Sequence, residues 1–125
     1  MKKSLTPLGE TEMEVLHHVW KLQEATVKQV RKRILEDRQV AYTTIMTVMK
    51  NLADKGYLKY YKDGVTYVYS AAVEPDSVRF NLVNDLVKKV FRGSPKQLVQ
   101  TLVQNEDLSE EERVEIKNLI DGMEE

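Results

Sequence analysis

The chain has no cysteine among its 125 residues. Disulfides, thiolate metal sites and cysteine nucleophiles are therefore excluded together. Histidine is nearly as scarce, and the two present, His17 and His18, are adjacent. Consecutive helix residues point about 100° apart, so the pair reads as helix surface rather than as a metal site or the base of a triad. Glycine (5) and proline (3) are few, and no Gly-rich phosphate loop is present. No apolar run approaches the roughly 18 residues of a membrane span. Met1-Lys2-Lys3 is not followed by the apolar stretch of a secretory signal. These absences lead us to expect a cytoplasmic protein without metal or cofactor, and one that is not an enzyme.

What is present describes an ordinary helix-rich globular chain, 42% hydrophobic and 31% charged. Its net charge of −1 hides a polarity. Residues 1–72 carry 12 Lys and Arg against 8 Asp and Glu, a net +4, whereas residues 73–125 carry 7 against 12, a net −5. A basic first half suits a polyanion if its cations share one face.

Apolar periodicity predicts three helices, a hairpin and three more helices. The first helix covers Glu10 to Lys21, with Met13, Leu16 and Trp20 at helical spacing and Val15 and Val19 beside them. Either Thr6-Pro7 or Gly9 with Glu12 starts it. Gln23-Glu24-Ala25 reads as a connector. Thr26 and Gln29 then form a capping box for a second helix, whose apolar face is Val27, Val30, Ile34 and Leu35. The third helix runs from Tyr42 to Lys55 and would bury Ile45, Val48, Met49 and Leu52, with Gly56 as its stop. Two β-rich runs, Tyr57–Lys62 and Val65–Ser70, flank Asp63-Gly64, a strong hairpin signal. Tyr60, Tyr61, Tyr67 and Tyr69 within them fit cross-strand packing better than a base-stacking platform. Downstream helices are expected from Pro75 to Phe91, from Lys96 to Gln104, and after the Ser109/Glu112 capping box, the last with Val114, Ile116, Leu119, Ile120 and Met123 apolar.

Three helices followed by a two-stranded hairpin is the winged-helix order. The fold expected is mainly α (α+β): an N-terminal winged helix-turn-helix over 1–72 and a C-terminal three-helix dimerisation region over 73–125. In a helix-turn-helix the second helix of the motif enters the DNA major groove. Here its outer face carries Tyr42, Thr43, Thr44, Met46, Thr47 and Lys50, with no acidic residue before Asp54. Hydroxyls bond bases or phosphates, and Thr and Met methyls contact thymine. Lys28 and Arg31 on the preceding helix, and Lys59, Lys62 and Thr66 on the wing, are the expected backbone contacts. A winged helix that binds protein rather than DNA is the competing reading.

The C-terminal segment is too short for an ordinary independent core, yet it is rich in large apolar residues. Leu82, Val83, Leu86, Val87, Val90 and Phe91, with Leu98, Leu102, Ile116, Leu119 and Ile120, are the candidate contacts of a homodimer.

Three stretches carry a family resemblance: Glu12-Met13-Glu14-Val15-Leu16 with Trp20; Ala41-Tyr42-Thr43-Thr44-Ile45-Met46-Thr47 with Leu52-Ala53-Asp54-Lys55-Gly56-Tyr57-Leu58; and Val68-Tyr69-Ser70. With Asn105-Glu106-Asp107-Leu108-Ser109 downstream, the chain resembles the penicillinase repressor family over nearly its whole length. The resemblance implies a cytoplasmic bacterial repressor that binds a palindromic double-stranded operator as a homodimer. It also implies a sensor-linked protease that cuts the C-terminal region. Penicillin-responsive relatives are cut at an Asn-Phe bond, and the corresponding position here is Thr101-Leu102. Copper-responsive relatives carry paired Cys-x-Cys motifs, which this chain lacks. Many relatives also have a basic residue in place of Met46 and an Arg in place of Val65.

Overall fold

The computed structural model describes residues 8–105 and 107–122; Thr6-Pro7, Glu106 and Met123 lie outside them. The described chain runs α1 (Glu10–Leu22), β1 (Glu24–Ala25), α2 (Val27–Ile34), α3 (Tyr42–Asp54), β2 (Leu58–Asp63), β3 (Thr66–Ala71), α4 (Pro75–Val90), α5 (Pro95–Val103) and α6 (Glu110–Asp121). It divides into two compact units, residues 1–80 and 81–125.

The first unit is a winged helix. Val15, Leu16 and Val19 of α1, Val27, Val30 and Ile34 of α2, and Ile45, Met49 and Leu52 of α3 make its core. The helical stripes face one another as their spacing predicts. Met13, Trp20 and Val48 are only half-buried, so the contact line of α1 is shifted toward Val15 and Val19. The unit ends within α4, past the charge-based division at residue 72. The reason is packing: Val78 is buried, and the Arg79 guanidinium lies 5.1 Å from the centre of the Trp20 ring.

Local chemistry sets the helix ends. The Gly9 N–H donates to Glu12 Oε1 at 2.9 Å, half of a capping box, since glycine has no side chain to reciprocate. Thr26 and Gln29 make the full reciprocal pair. After α3, Gly56 adopts φ +93. Its N–H donates to the Ala53 carbonyl, and that of Tyr57 donates to Leu52. This is a Schellman ending, with Tyr57 and Leu52 both buried beside it.

The sheet has three strands in the order β1-β3-β2, all antiparallel. The expected connector at Glu24-Ala25 is a strand, pairing Glu24 with Ser70 and Ala25 with Tyr69. Gln23 makes this possible by taking φ +72 while its N–H caps Val19 at 2.7 Å. Such a conformation costs a non-glycine residue on the order of 1 kcal/mol, offset by strand pairing and the complete burial of Ala25. The hairpin turn is displaced by one residue from the sequence reading. Asp63 pairs with Thr66, so Gly64-Val65 forms the two-residue loop. Gly64 alone of the two has positive φ, +65, the pattern of a type II′ turn with glycine first.

The second unit comprises the later turns of α4 with α5 and α6. Ser94 caps α5 through the Gln97 N–H, and Ser109 and Glu112 form the expected capping box of α6.

Three polar ties hold α1 to its neighbours. Lys55 Nζ donates to both Glu12 oxygens at 2.9 and 2.7 Å, and Arg38 Nη2 to Glu14 at 2.7 Å. Arg33 Nε donates to His18 Nδ1 at 3.0 Å, which requires that nitrogen to be unprotonated. Burial and the Arg33 charge hold His18 below its usual value. Burial pushes Glu12 up, but the Gly9 N–H and the Lys55 ammonium outweigh it and hold the carboxyl below the usual range. The unfolded chain therefore takes up the His18 proton at higher pH than the folded one. This contribution is present above about pH 6.5, the ordinary histidine value, and is lost as pH falls from there through the lower folded-state value. His18→Gln keeps an acceptor for Arg33 and does not titrate. Its melting temperature should fall less than that of the wild type between pH 7.5 and 5.5. An identical loss in both proteins would show that His18 is not the titrating group.

Candidate nucleic-acid interface

Burial of Ile45, Met49 and Leu52 turns the opposite side of α3 to solvent. Tyr42 and Met46 are 46% and 45% exposed, and Thr43, Thr44, Thr47 and Lys50 are exposed with them. The structure thus brings the predicted base-reading residues onto one helix face. Helices α2, α5 and α6 each begin with a Ser or Thr hydroxyl cap, whereas α3 begins at Ala41, which supplies none. The first N–H groups of α3 keep their capacity to bind an oxyanion.

On α2, Lys28 is exposed. Arg31 is half-buried, and its Nε donates to the Val40 carbonyl at 3.0 Å, across the turn that leads into α3. One of its donors is thus committed to orienting α3 rather than left for a phosphate. The turn is tied on its other side by Arg38 to Glu14.

The wing residues sort by strand alternation. Leu58, Tyr60 and Lys62 share a face with Tyr67 and Tyr69, which pair with Lys62 and Tyr60 respectively. That face buries Leu58 and Tyr69 at its base. Lys59, Tyr61, Asp63 and Thr66 lie on the other face, where the Tyr61 hydroxyl bonds Glu24 Oε1 at 3.2 Å. Lys62 and Thr66, grouped together in the sequence reading, therefore point to opposite sides. Three of the four tyrosines pack as expected: Tyr60 meets Tyr67 edge to face at 5.2 Å and Tyr69 at a tilt at 5.5 Å, whereas Tyr61 is on the other face. Burial, then the neighbouring Tyr60, Tyr67, Asp54 and Tyr42, push the Tyr69 hydroxyl up. Tyr60 and Tyr67 remain half open to solvent on the face next to α3.

In the second unit Val83, Leu86, Val90, Leu102, Leu119 and Ile120 are exposed, as a partner-binding face requires. Leu82, Phe91, Leu98 and Ile116 are half-buried. Val87 is different: it is buried within the chain and is not presented to a partner. Val99 and Val114 of this unit, and Phe80 at the end of the first, are also exposed and were not among the expected contacts. Thr101 and Leu102 lie inside α5, where the Thr101 hydroxyl donates to the Gln97 carbonyl at 2.9 Å. Among the described residues no three His, Cys, Asp or Glu side chains group to hold a metal, and no helix is long and apolar enough to cross a membrane.

The family model described as penicillinase repressor matches residues 8–122. The chain is 27% identical to the methicillin resistance regulatory protein MecI of Mammaliicoccus sciuri over 113 residues, 90% of this chain and 92% of that protein. It is 32% identical to the transcriptional regulator BlaI of Mycobacterium tuberculosis over 94 residues, 74% of this chain and 68% of that one. The solution structure of the DNA-binding domain of the repressor BlaI aligns with a TM-score of 0.53 at 26% identity, covering 59% of this chain and 90% of that domain. Monomeric Bacillus licheniformis BlaI in complex with the blaP half-operator aligns at 0.51 and 25%, covering 60% of this chain and 92% of that one.

The bond from Arg31 to Val40 makes a measurable prediction. Arg31→Ala should cost about 1.5 kcal/mol of stability, a fall of several degrees in melting temperature. Lys28→Ala, on an exposed side chain, should leave the melting temperature unchanged. Equal stability of the two variants would remove Arg31 from the scaffold that orients α3.

Proposed function

The chain belongs to the penicillinase repressor family, and from that premise we propose that it is a bacterial transcriptional repressor which occupies a palindromic operator as a homodimer and blocks the promoter. The observation that carries this reading is the exposed face of α3. Hydroxyls, methyls and one lysine stand there on a rigid helix with no carboxylate before Asp54. Thr43, Thr44, Met46 and Thr47 read base edges in the major groove, with Tyr42 at the helix entrance. Lys50, Lys28 and Lys62, with the outer nitrogens of Arg31, hold phosphates and fix register. Thr66, on the far side of the wing, contributes at most a backbone contact outside the groove that Lys62 faces.

A single module with a +4 excess makes few phosphate contacts, and two modules double them. Leu86, Val83 and Val90 of α4, with Leu102, Leu119 and Ile120, form the partner-binding face in this reading. Two-fold symmetry then places two half-sites about one helical turn apart, or a multiple of it. A sensor-linked protease cutting between Thr101 and Leu102 would separate α6 from α4. Helical Thr101 would have to unwind first, since its backbone lies within α5. The site of action is the cytoplasm, where the operator is.

Fluorescence anisotropy with a duplex from the protein's own promoter and a scrambled duplex tests the proposal. Specific binding should be at least ~1,000-fold tighter, with two protomers per duplex. Weak, equal binding to both, and no enriched sequence in a genome-wide selection, would favour a protein-binding winged helix. Leu86→Asp should give monomers in sedimentation at micromolar concentration and abolish tight operator binding. A persistent dimer would move the interface elsewhere.

A further inference from the structure

The wing holds a set of donors that the base-reading face does not use. Tyr60 and Tyr67 are 56% and 45% exposed, and neither hydroxyl has a hydrogen-bond partner among the described residues. Tyr61, on the opposite face, is the contrast: its hydroxyl is engaged by Glu24. The rings of Tyr60 and Tyr67 brace each other at 5.2 Å and 84°, and Lys62 Nζ lies 5.8 Å from the centre of the Tyr67 ring. Three donors therefore stand together on β2 and β3, and the two tyrosine rings, braced against each other, have little rotamer freedom left to lose on binding.

Charge selects the occupant. The carboxylates of this sheet, Glu24 and Asp63, are on the outer face with Tyr61. The inner face has Lys62 and no acidic residue from either wing strand, and Asp54 lies at its base near Tyr69. The Tyr60 and Tyr69 rings meet at 5.5 Å, and β2, which carries Tyr60, packs against α3, so the wing tyrosines stand beside the reading helix. A polyanion lying along α3 meets the tyrosines next.

We propose that Tyr60 and Tyr67, held ring against ring beside Lys62 on the inner face of the wing, donate their hydroxyls to the duplex phosphates that flank the half-site read by α3. This rests on the repressor reading above and extends its footprint. Neutral donors differ from lysine in one respect that can be measured. They bond a phosphate without adding a charge, so they contribute affinity without displacing a further counterion.

The test uses the full-length protein and its operator duplex. Tyr60→Phe and Tyr67→Phe keep the rings and their packing and remove only the hydroxyls. Each should weaken binding about threefold to tenfold with the slope of log K against log salt unchanged. Lys62→Ala should instead lower that slope by about 1. Hydroxyl-radical footprinting should show the double Phe variant losing protection of the sugars flanking the half-site while its centre stays protected. Wild-type affinity in the Phe variants, or lost affinity with flanking protection intact, would overturn the inference and leave the repressor reading standing. A wild-type protein that does not distinguish operator from scrambled duplex would overturn both.

Discussion

The orientation of α3 depends on the burial of one stripe, Ile45, Met49 and Leu52, against the apolar faces of α1 and α2. Each such side chain contributes about 1.5–3 kcal/mol, whereas an exposed ion pair contributes at most about 1 kcal/mol. The stripe therefore decides which way the helix faces. Every residue proposed to read DNA is exposed because it lies off that stripe, on the side of the helix turned away from α1 and α2. The polar ties from Glu12 to Lys55 and from Glu14 to Arg38 refine a placement already made by packing.

Backbone devices then convert that packing into a surface. Gly56 ends α3 with a left-handed residue and sends the chain directly into β2. Gln23 also takes a positive φ without being glycine, and so adds a third strand to what would be a bare hairpin. A two-stranded hairpin is marginal in water. β1 braces β3 on the side away from β2 and fixes the wing as a rigid extension of the domain. Arg31 does similar work in the turn, spending a donor on the Val40 carbonyl where the sequence suggested a phosphate.

Pattern-based reading succeeded wherever the signal was local. The Thr26 and Ser109 boxes, the α3 stripe and the order of helices and hairpin are written in residues a few positions apart. It failed where a partner distant in sequence decided the outcome. Glu24-Ala25 has no strand signal of its own and is a strand because Tyr69 and Ser70 lie beside it. Val87 has the same heptad-like neighbours as Val83 and Val90, yet it alone is buried. The first turn of α4 belongs to the winged helix through Val78 and Arg79, a contact to which the charge asymmetry was blind.

Sequence alone was enough for the winged-helix order, the exposed face of α3, the exclusion of cysteine chemistry, and the surplus of apolar residues in the C-terminal segment. Those follow from composition and from periods of 2 and 3.6, which any chain segment carries alone. The fold was needed to show which wing residues share a side and how Arg31 and the Tyr61 hydroxyl are engaged among the described residues. Those properties are set by the hairpin register, with Asp63 opposite Thr66, and by bonds such as Arg31 to Val40 and Tyr61 to Glu24. Such contacts form only when segments brought together by the core are held at hydrogen-bonding distance, and no local pattern encodes that distance.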